Sequence, residues 1–128
     1  MRDLLLIAIG GALGALLRYG ASIGSRHVFG AGFPYGTLLV NGIGCFAIGF
    51  LAHLSLQDDL LPEWLRPGLA VGFLGALTTF STFGFETIAH FEKGEPLLAA
   101  ANVVSNLILG LAAVCAGLWV ARAAWPIS

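Results

Sequence analysis

Charge is scarce in this sequence: 10% of its 128 residues are Asp, Glu, Lys or Arg, against roughly a quarter in an ordinary soluble domain. Six basic and seven acidic residues cannot coat a globule that is 58% hydrophobic. A soluble enzyme of this length is excluded by that surface chemistry, and disorder by the same apolar excess. There is no basic run and the net charge is −1, which excludes nucleic acid as a partner, since phosphates demand a dense cationic footprint. Cysteine is equally sparse. Cys45 and Cys115 stand apart inside apolar runs without CxxC spacing, so they read as small core residues rather than a disulfide or metal site. No GxSxG, no glycine loop followed by Lys, and no His/Cys/Asp/Glu cluster at ligand spacing occurs, so no catalytic constellation is visible. What these absences leave is a one-domain membrane protein.

A helix needs about 20 mostly apolar residues to cross the hydrocarbon core. Four stretches qualify, at 4–23, 35–56, 65–91 and 97–124. The first, Leu4 to Ile23, follows an N-terminus without positive excess and outruns the usual signal-peptide core, so it reads as a retained helix. Arg18 sits in its last third, near enough to an end to snorkel or face a polar cavity. The second starts after the turn from Gly30 to Pro34 and ends before Gln57-Asp58-Asp59, and the fourth closes on Trp125, an interfacial ring. The repeats Gly10-x3-Gly14, Gly20-x3-Gly24 and Gly68-x3-Gly72 predict close helix contacts.

The third span is unusual. Gly72, Gly75, Thr78, Thr79, Ser81 and Thr82 crowd glycines and hydroxyls at mid-membrane depth. Isolated hydroxyls bond back to their own helix, but a consecutive set behind glycines predicts an interrupted helix. Broken backbone is tolerated at that depth only where protein or a wet path satisfies it. Freed carbonyls suit a small cation and freed N–H groups an anion; a kink without ligand is the plainer alternative.

Alternating sides place Arg2, Arg66 and Arg122 opposite Arg26 and Lys93, with Arg18 joining the second set if it reaches that end. The positive-inside rule therefore has almost no bias to act on. Such a chain is able to insert both ways, and if both orientations are made a two-fold dimer of opposed copies follows; a single orientation fixed by weaker effects is the plainer alternative. Asn41 lies in the second span, and Asn102 and Asn106 share a face of the fourth with Gly110. As glue each amide is worth about 1 kcal/mol; as pore lining each brings N–H donors that replace water around an anion. Phe80 and Phe83 share a face; core packing is the default for such a pair, while ring edges turned to a path would touch an anion without holding it. Glu86 continues that face as a proton or ion site, or as part of a vestibule near Arg18. His53 and His90, near span ends, read as interfacial. Neutral donors suit a small hydrated anion, which a buried Lys or Arg would trap.

These residues resemble the Fluc fluoride-channel family, also called CrcB. The resemblance rests on Gly11-Ala12-Leu13-Gly14-Ala15-Leu16-Leu17-Arg18-Tyr19, on Gly36-Thr37-Leu38-Leu39-Val40-Asn41, and above all on the run from Gly72 to Phe83 with its Thr78-Thr79-Phe80-Ser81-Thr82-Phe83 core. The resemblance implies an all-α membrane protein of four transmembrane helices with a broken third helix, forming an antiparallel dual-topology homodimer. It implies passive passage of fluoride out of the cytoplasm across the cell (inner) membrane, and a structural, untransported sodium ion on the backbone carbonyls of Gly75 and Thr78 from both subunits. It places Asn41, Phe80 and Phe83 in the pore with Ser81, Thr82 and Thr79 beside them, and matches Arg18 to the family's first-helix arginine. Asn106 stands where a hydroxyl residue is common on the fourth helix, and Gly110 leaves another position of that track bare.

Two other classes compete with this reading. A small dual-topology multidrug exporter is also four-helical, but its chemistry centres on a first-span acid, and none lies between Leu4 and Leu17. A purely structural membrane partner would use the same polar residues only to lock helices.

Overall fold

The computed structural model describes residues 1–56 and 60–126, so the expected polar stretch Gln57-Asp58-Asp59 lies outside the described residues. The fold is all-helical, with four segments long and apolar enough to cross a membrane: Arg2–Phe29, Tyr35–Leu54, Glu63–Glu92 and Pro96–Ala124. The first is helix α1 (Arg2–Phe29), with Asp3 in its first turn and Arg26 in its last, each charge complementing the helix dipole. Gly30 ends it at φ 79°, a conformation that a Cβ would strain. Helix α2 (Tyr35–Leu54) follows at once.

The third segment changes character along its length. A 3-10 turn at Glu63–Leu65 leads into a π-helical stretch, Pro67–Leu74, whose wide winding shows where the Gly75 N–H donates to the Ala70 carbonyl five residues back. One further turn, α3 (Gly75–Leu77), is followed by Thr78 and Thr79 in extended conformation, with ψ of 155° and 117°. Helix α4 (Phe80–Glu92) then starts with Thr79 as its cap, the hydroxyl accepting from the Thr82 N–H at 3.2 Å. Gly94, at φ 76°, turns the chain into α5 (Pro96–Ala124), where proline occupies the first turn.

Burial is inverted relative to a soluble protein. Thr37, Thr79, His53, His90 and Asn102 are buried, whereas Leu4, Leu16, Leu97, Leu111 and Trp119 stand exposed. Apolar side chains facing outward are what a bilayer solvates, and the polar groups inside must find partners within the bundle. Small residues let the helices approach. α1 packs on the π-helical stretch and α2 on α5. A Cβ at Gly14 would overlap the Phe73 carbonyl oxygen, and one at Gly117 the Phe46 carbonyl oxygen. A Cβ at Gly10 or Gly72 would likewise overlap backbone, and one at Gly68 would press on the Leu6 side chain at 3.0 Å, so two of the three glycine repeats interlock with each other. The third does not: nothing lies within 4 Å of a Cβ built at Gly20 or Gly24. Gly14→Ala is expected to destabilise the fold by about 2 kcal/mol, as overpacking does, read as a lowered thermal midpoint in detergent.

His53 and His90 sit at helix ends as expected, but inside rather than at the surface. His53 Nε2 meets the Trp125 carbonyl at 2.8 Å, and Trp125 stacks edge-on against Phe50 with ring centroids 5.8 Å apart. His90 Nδ1 lies 2.7 Å from the Glu95 carboxylate, tying the α4–α5 turn.

Candidate functional site

The extended step at Thr78–Thr79 costs the helix its own hydrogen bonds. In a continuous helix the Thr79 N–H would close on the Gly75 carbonyl, and the Thr82 N–H on that of Thr78. Here the Thr79 N–H donates to Asn41 Oδ1 at 2.8 Å and the Thr82 N–H to Thr79 Oγ1 at 3.2 Å. Both helical donors are thus diverted from the Gly75 and Thr78 carbonyls onto side chains. The Thr78 hydroxyl bonds back to the Leu74 carbonyl at 2.9 Å, so it does not replace them.

Asn41 reaches this step from α2. Its Oδ1 accepts the Thr79 N–H, which fixes the amide orientation, and its Nδ2 donates to the Thr79 carbonyl at 3.2 Å and to Asn106 Oδ1 at 3.0 Å. One side chain therefore holds both polar groups of one residue. Gly44, one turn further on, lets α2 come this close, since a Cβ there would overlap the Thr78 methyl group. From Asn106 the bonding continues up α5. Asn106 Nδ2 donates to the Asn102 carbonyl at 3.0 Å and to Asn102 Oδ1 at 2.9 Å, and Asn102 Nδ2 donates to Thr87 Oγ1 at 2.9 Å. Thr87 Oγ1 donates to the Phe83 carbonyl at 2.8 Å. In this arrangement both Asn41 and Asn106 direct their N–H groups to protein oxygens.

The aromatic pair stands beside the step. Phe80 and Phe83 have ring centroids 5.4 Å apart at 51°, and Phe80 is 82% exposed. Both line a cavity of about 380 Å³ together with Asn41, Gly75, Thr78, Thr79 and Asn106. Ser81 lies 3.3 Å from the Thr79 hydroxyl and Thr82 Oγ1 3.0 Å from it, forming a hydroxyl cluster at the start of α4. Gly110 is buried with Cys45 Sγ at 3.4 Å from where its Cβ would be.

Arg18 and Glu86 line different cavities. Arg18 lines one of about 260 Å³ with Ser22, Thr37, Thr79 and Thr82, while Glu86 lines one of about 240 Å³ with Ser22, Arg26, Thr37 and His90. Thr37 and Ser22 belong to both, and Thr79 joins the Arg18 cavity to the aromatic one. Thr37 also donates to Glu86 Oε1 at 3.0 Å, and Glu86 Oε2 is buried without a partner among the described residues. Thr37 was not singled out from the sequence, although it stands one helical turn before Asn41, the spacing that would have placed it on the same face. Thr87 carried no signal at all.

The sequence pattern of the family described as "CrcB-like protein, Camphor Resistance (CrcB)" matches residues 5–118. A protein of Geobacter metallireducens named "Fluoride-specific ion channel FluC" is 47% identical over 122 residues, covering 95% of this chain and 98% of its own. Identically named proteins of Shewanella amazonensis and Dehalococcoides mccartyi are 49% and 45% identical over 117 residues. The first match covers 91% of this chain and 94% of the relative, the second 91% and 90%. Matches that run nearly the full length of both partners make this chain a member of the CrcB family, whose named relatives are ion channels and not enzymes.

Proposed function

We propose that the chain is a fluoride-selective passive channel that lets fluoride leave the cytoplasm, assembled as an antiparallel, dual-topology homodimer in the cell (inner) membrane. The observation that carries this reading is the clamp of half-buried Asn41 on Thr79, which fixes the extended step at Thr78–Thr79 beside the Phe80–Phe83 pair. The relatives' shared name supplies the ion. Ring edges carry partial positive charge and touch an anion without binding it deeply, which conduction requires. Ser81, Thr82 and Thr79 add hydroxyl donors beside the rings, and Asn106 orients Asn41. Thr37 and Thr79 link three cavities in series, a sequence that supports a route from a vestibule at Glu86, past Arg18, to the rings. A second copy is favoured by what one copy leaves open: Phe80 and Gly75 are exposed, and the positive charges are nearly balanced between the two sides.

A sodium ion fits the same break. The Gly75 and Thr78 carbonyls, whose helical donors are diverted, are hard neutral oxygens of the kind a small cation takes. Held there by both subunits, the ion would supply a fixed charge that fastens the two breaks together and is not itself transported.

Purified protein in sodium-containing liposomes should release fluoride rapidly and chloride very slowly, followed by ion-selective electrodes. Folded dimer that releases no fluoride would overturn the channel reading. Proton-coupled uptake of an organic cation would instead favour the exporter class.

A further inference from the structure

The hydrogen bonds that leave Thr79 through Asn41 return to α4 at Phe83. Thr79 N–H, Asn41, Asn106, Asn102, Thr87 and the Phe83 carbonyl form one chain crossing from α4 to α2, to α5 and back. Its direction is fixed at both ends. A backbone N–H can only donate, so Asn41 must present its oxygen to Thr79. A backbone carbonyl can only accept, so Thr87 must present its hydrogen to Phe83. Every amide between is thereby oriented, and the Asn102 carbonyl, which accepts from Asn106 Nδ2, independently agrees. Asn102 is fully buried, so no water competes for it.

Both ends of the chain lie on the first turn of α4, the turn that carries Phe80 and Phe83. The geometry points to Asn102 and Thr87 as positioning residues for the aromatic pair: neither lines the ring cavity, yet together they close the loop of bonds that sets the first turn of α4. Thr87 is the critical joint because its hydroxyl both accepts from Asn102 and donates to Phe83. A threonine bonding back to its own helix is ordinary. One that also terminates a four-residue polar chain from the opposite side of the pore break is not. Without that hydroxyl the nearest acceptor for Asn102 Nδ2 is the Phe83 carbonyl at 3.5 Å, too far for a good bond, so the amide and everything it orients would have to shift.

This inference rests on the channel reading for its transport consequence, and the experiment separates the two. Thr87→Val keeps the side-chain shape and removes the hydroxyl, and Thr87→Ser keeps the hydroxyl and removes the methyl. Fluoride efflux per folded protein is expected to fall about fivefold in Thr87→Val, the factor that one lost buried hydrogen bond represents, and to return in Thr87→Ser. The second readout needs no transport: 4-fluorophenylalanine placed at Phe80, two helical turns from the substitution, should show a displaced fluorine resonance in Thr87→Val and the wild-type resonance in Thr87→Ser. If Thr87→Val fails to fold, Thr87→Ala removes the same hydroxyl with less bulk. A packing role alone would harm Thr87→Ser and spare Thr87→Val, which overturns the proposal. An unmoved resonance with wild-type efflux in Thr87→Val overturns it too. Should the wild-type protein pass no fluoride, the channel reading falls, and the resonance alone decides whether Thr87 positions the ring.

Discussion

Asn41→Asp should reduce fluoride efflux by about a hundredfold or more while leaving the dimer assembled. The carboxylate can still accept the Thr79 N–H, so the backbone anchor survives. Its other oxygen, however, would face the Thr79 carbonyl and Asn106 Oδ1, now bonded at 3.2 and 3.0 Å, with no hydrogen between them. Three acceptors then converge where a donor stood, each buried group losing a partner. The fixed negative charge also opposes the ion: two like charges about 4 Å apart repel by about 4 kcal/mol in surroundings of intermediate polarity. Liposome efflux measured on protein that elutes as folded dimer checks this. Wild-type flux would remove Asn41 from the path.

The second large effect is expected at Phe80. Its ring is 82% exposed in a single copy, so Phe80→Ile withdraws little packing from the chain and should leave folding intact. What isoleucine cannot supply is a ring edge. The contact with Phe83 is worth up to about 1.5 kcal/mol, and the contact with a passing anion is lost besides, so fluoride efflux is expected to fall by about tenfold or more. Unchanged efflux from folded protein would mean that the ring faces lipid or the partner rather than the ion.

Much of this was legible in the residues. Four apolar stretches are a matter of counting, and the glycine and hydroxyl cluster from Gly72 to Thr82 drew attention to the place where Thr78 and Thr79 are extended. The asparagines were visible as costly groups in need of partners. Which partners they take was not visible, because that depends on how α2, α4 and α5 rotate against one another. Such rotation is set by contacts like Gly44 on Thr78 and Gly117 on the Phe46 carbonyl, which have no local signature. Hence spacing alone could not choose between glue and pore lining for the asparagines, whereas the packing shows the Asn106 N–H groups directed to Asn102. Spacing likewise marks a groove without saying what fills it. Gly10-x3-Gly14 meets Gly68-x3-Gly72, whereas no described atom of a neighbouring element lies within 4 Å of a Cβ built at Gly20 or Gly24. Arg18 and Glu86 show the same limit: they line different cavities that share Thr37 and Ser22, a separation that depends on how α1, α2 and α4 pack.

The run of amides from Asn41 to Asn102 has one more consequence, for protons. A proton wire works when each member can accept a proton on one side and release another on the other, as water, carboxyl and imidazole do. A carboxamide holds both its N–H hydrogens at any physiological pH, and here those of Asn106 are committed to fixed oxygens. A polar thread through the bundle built from such groups can orient its neighbours without carrying acid along its length, so the asparagine run itself opens no path for protons.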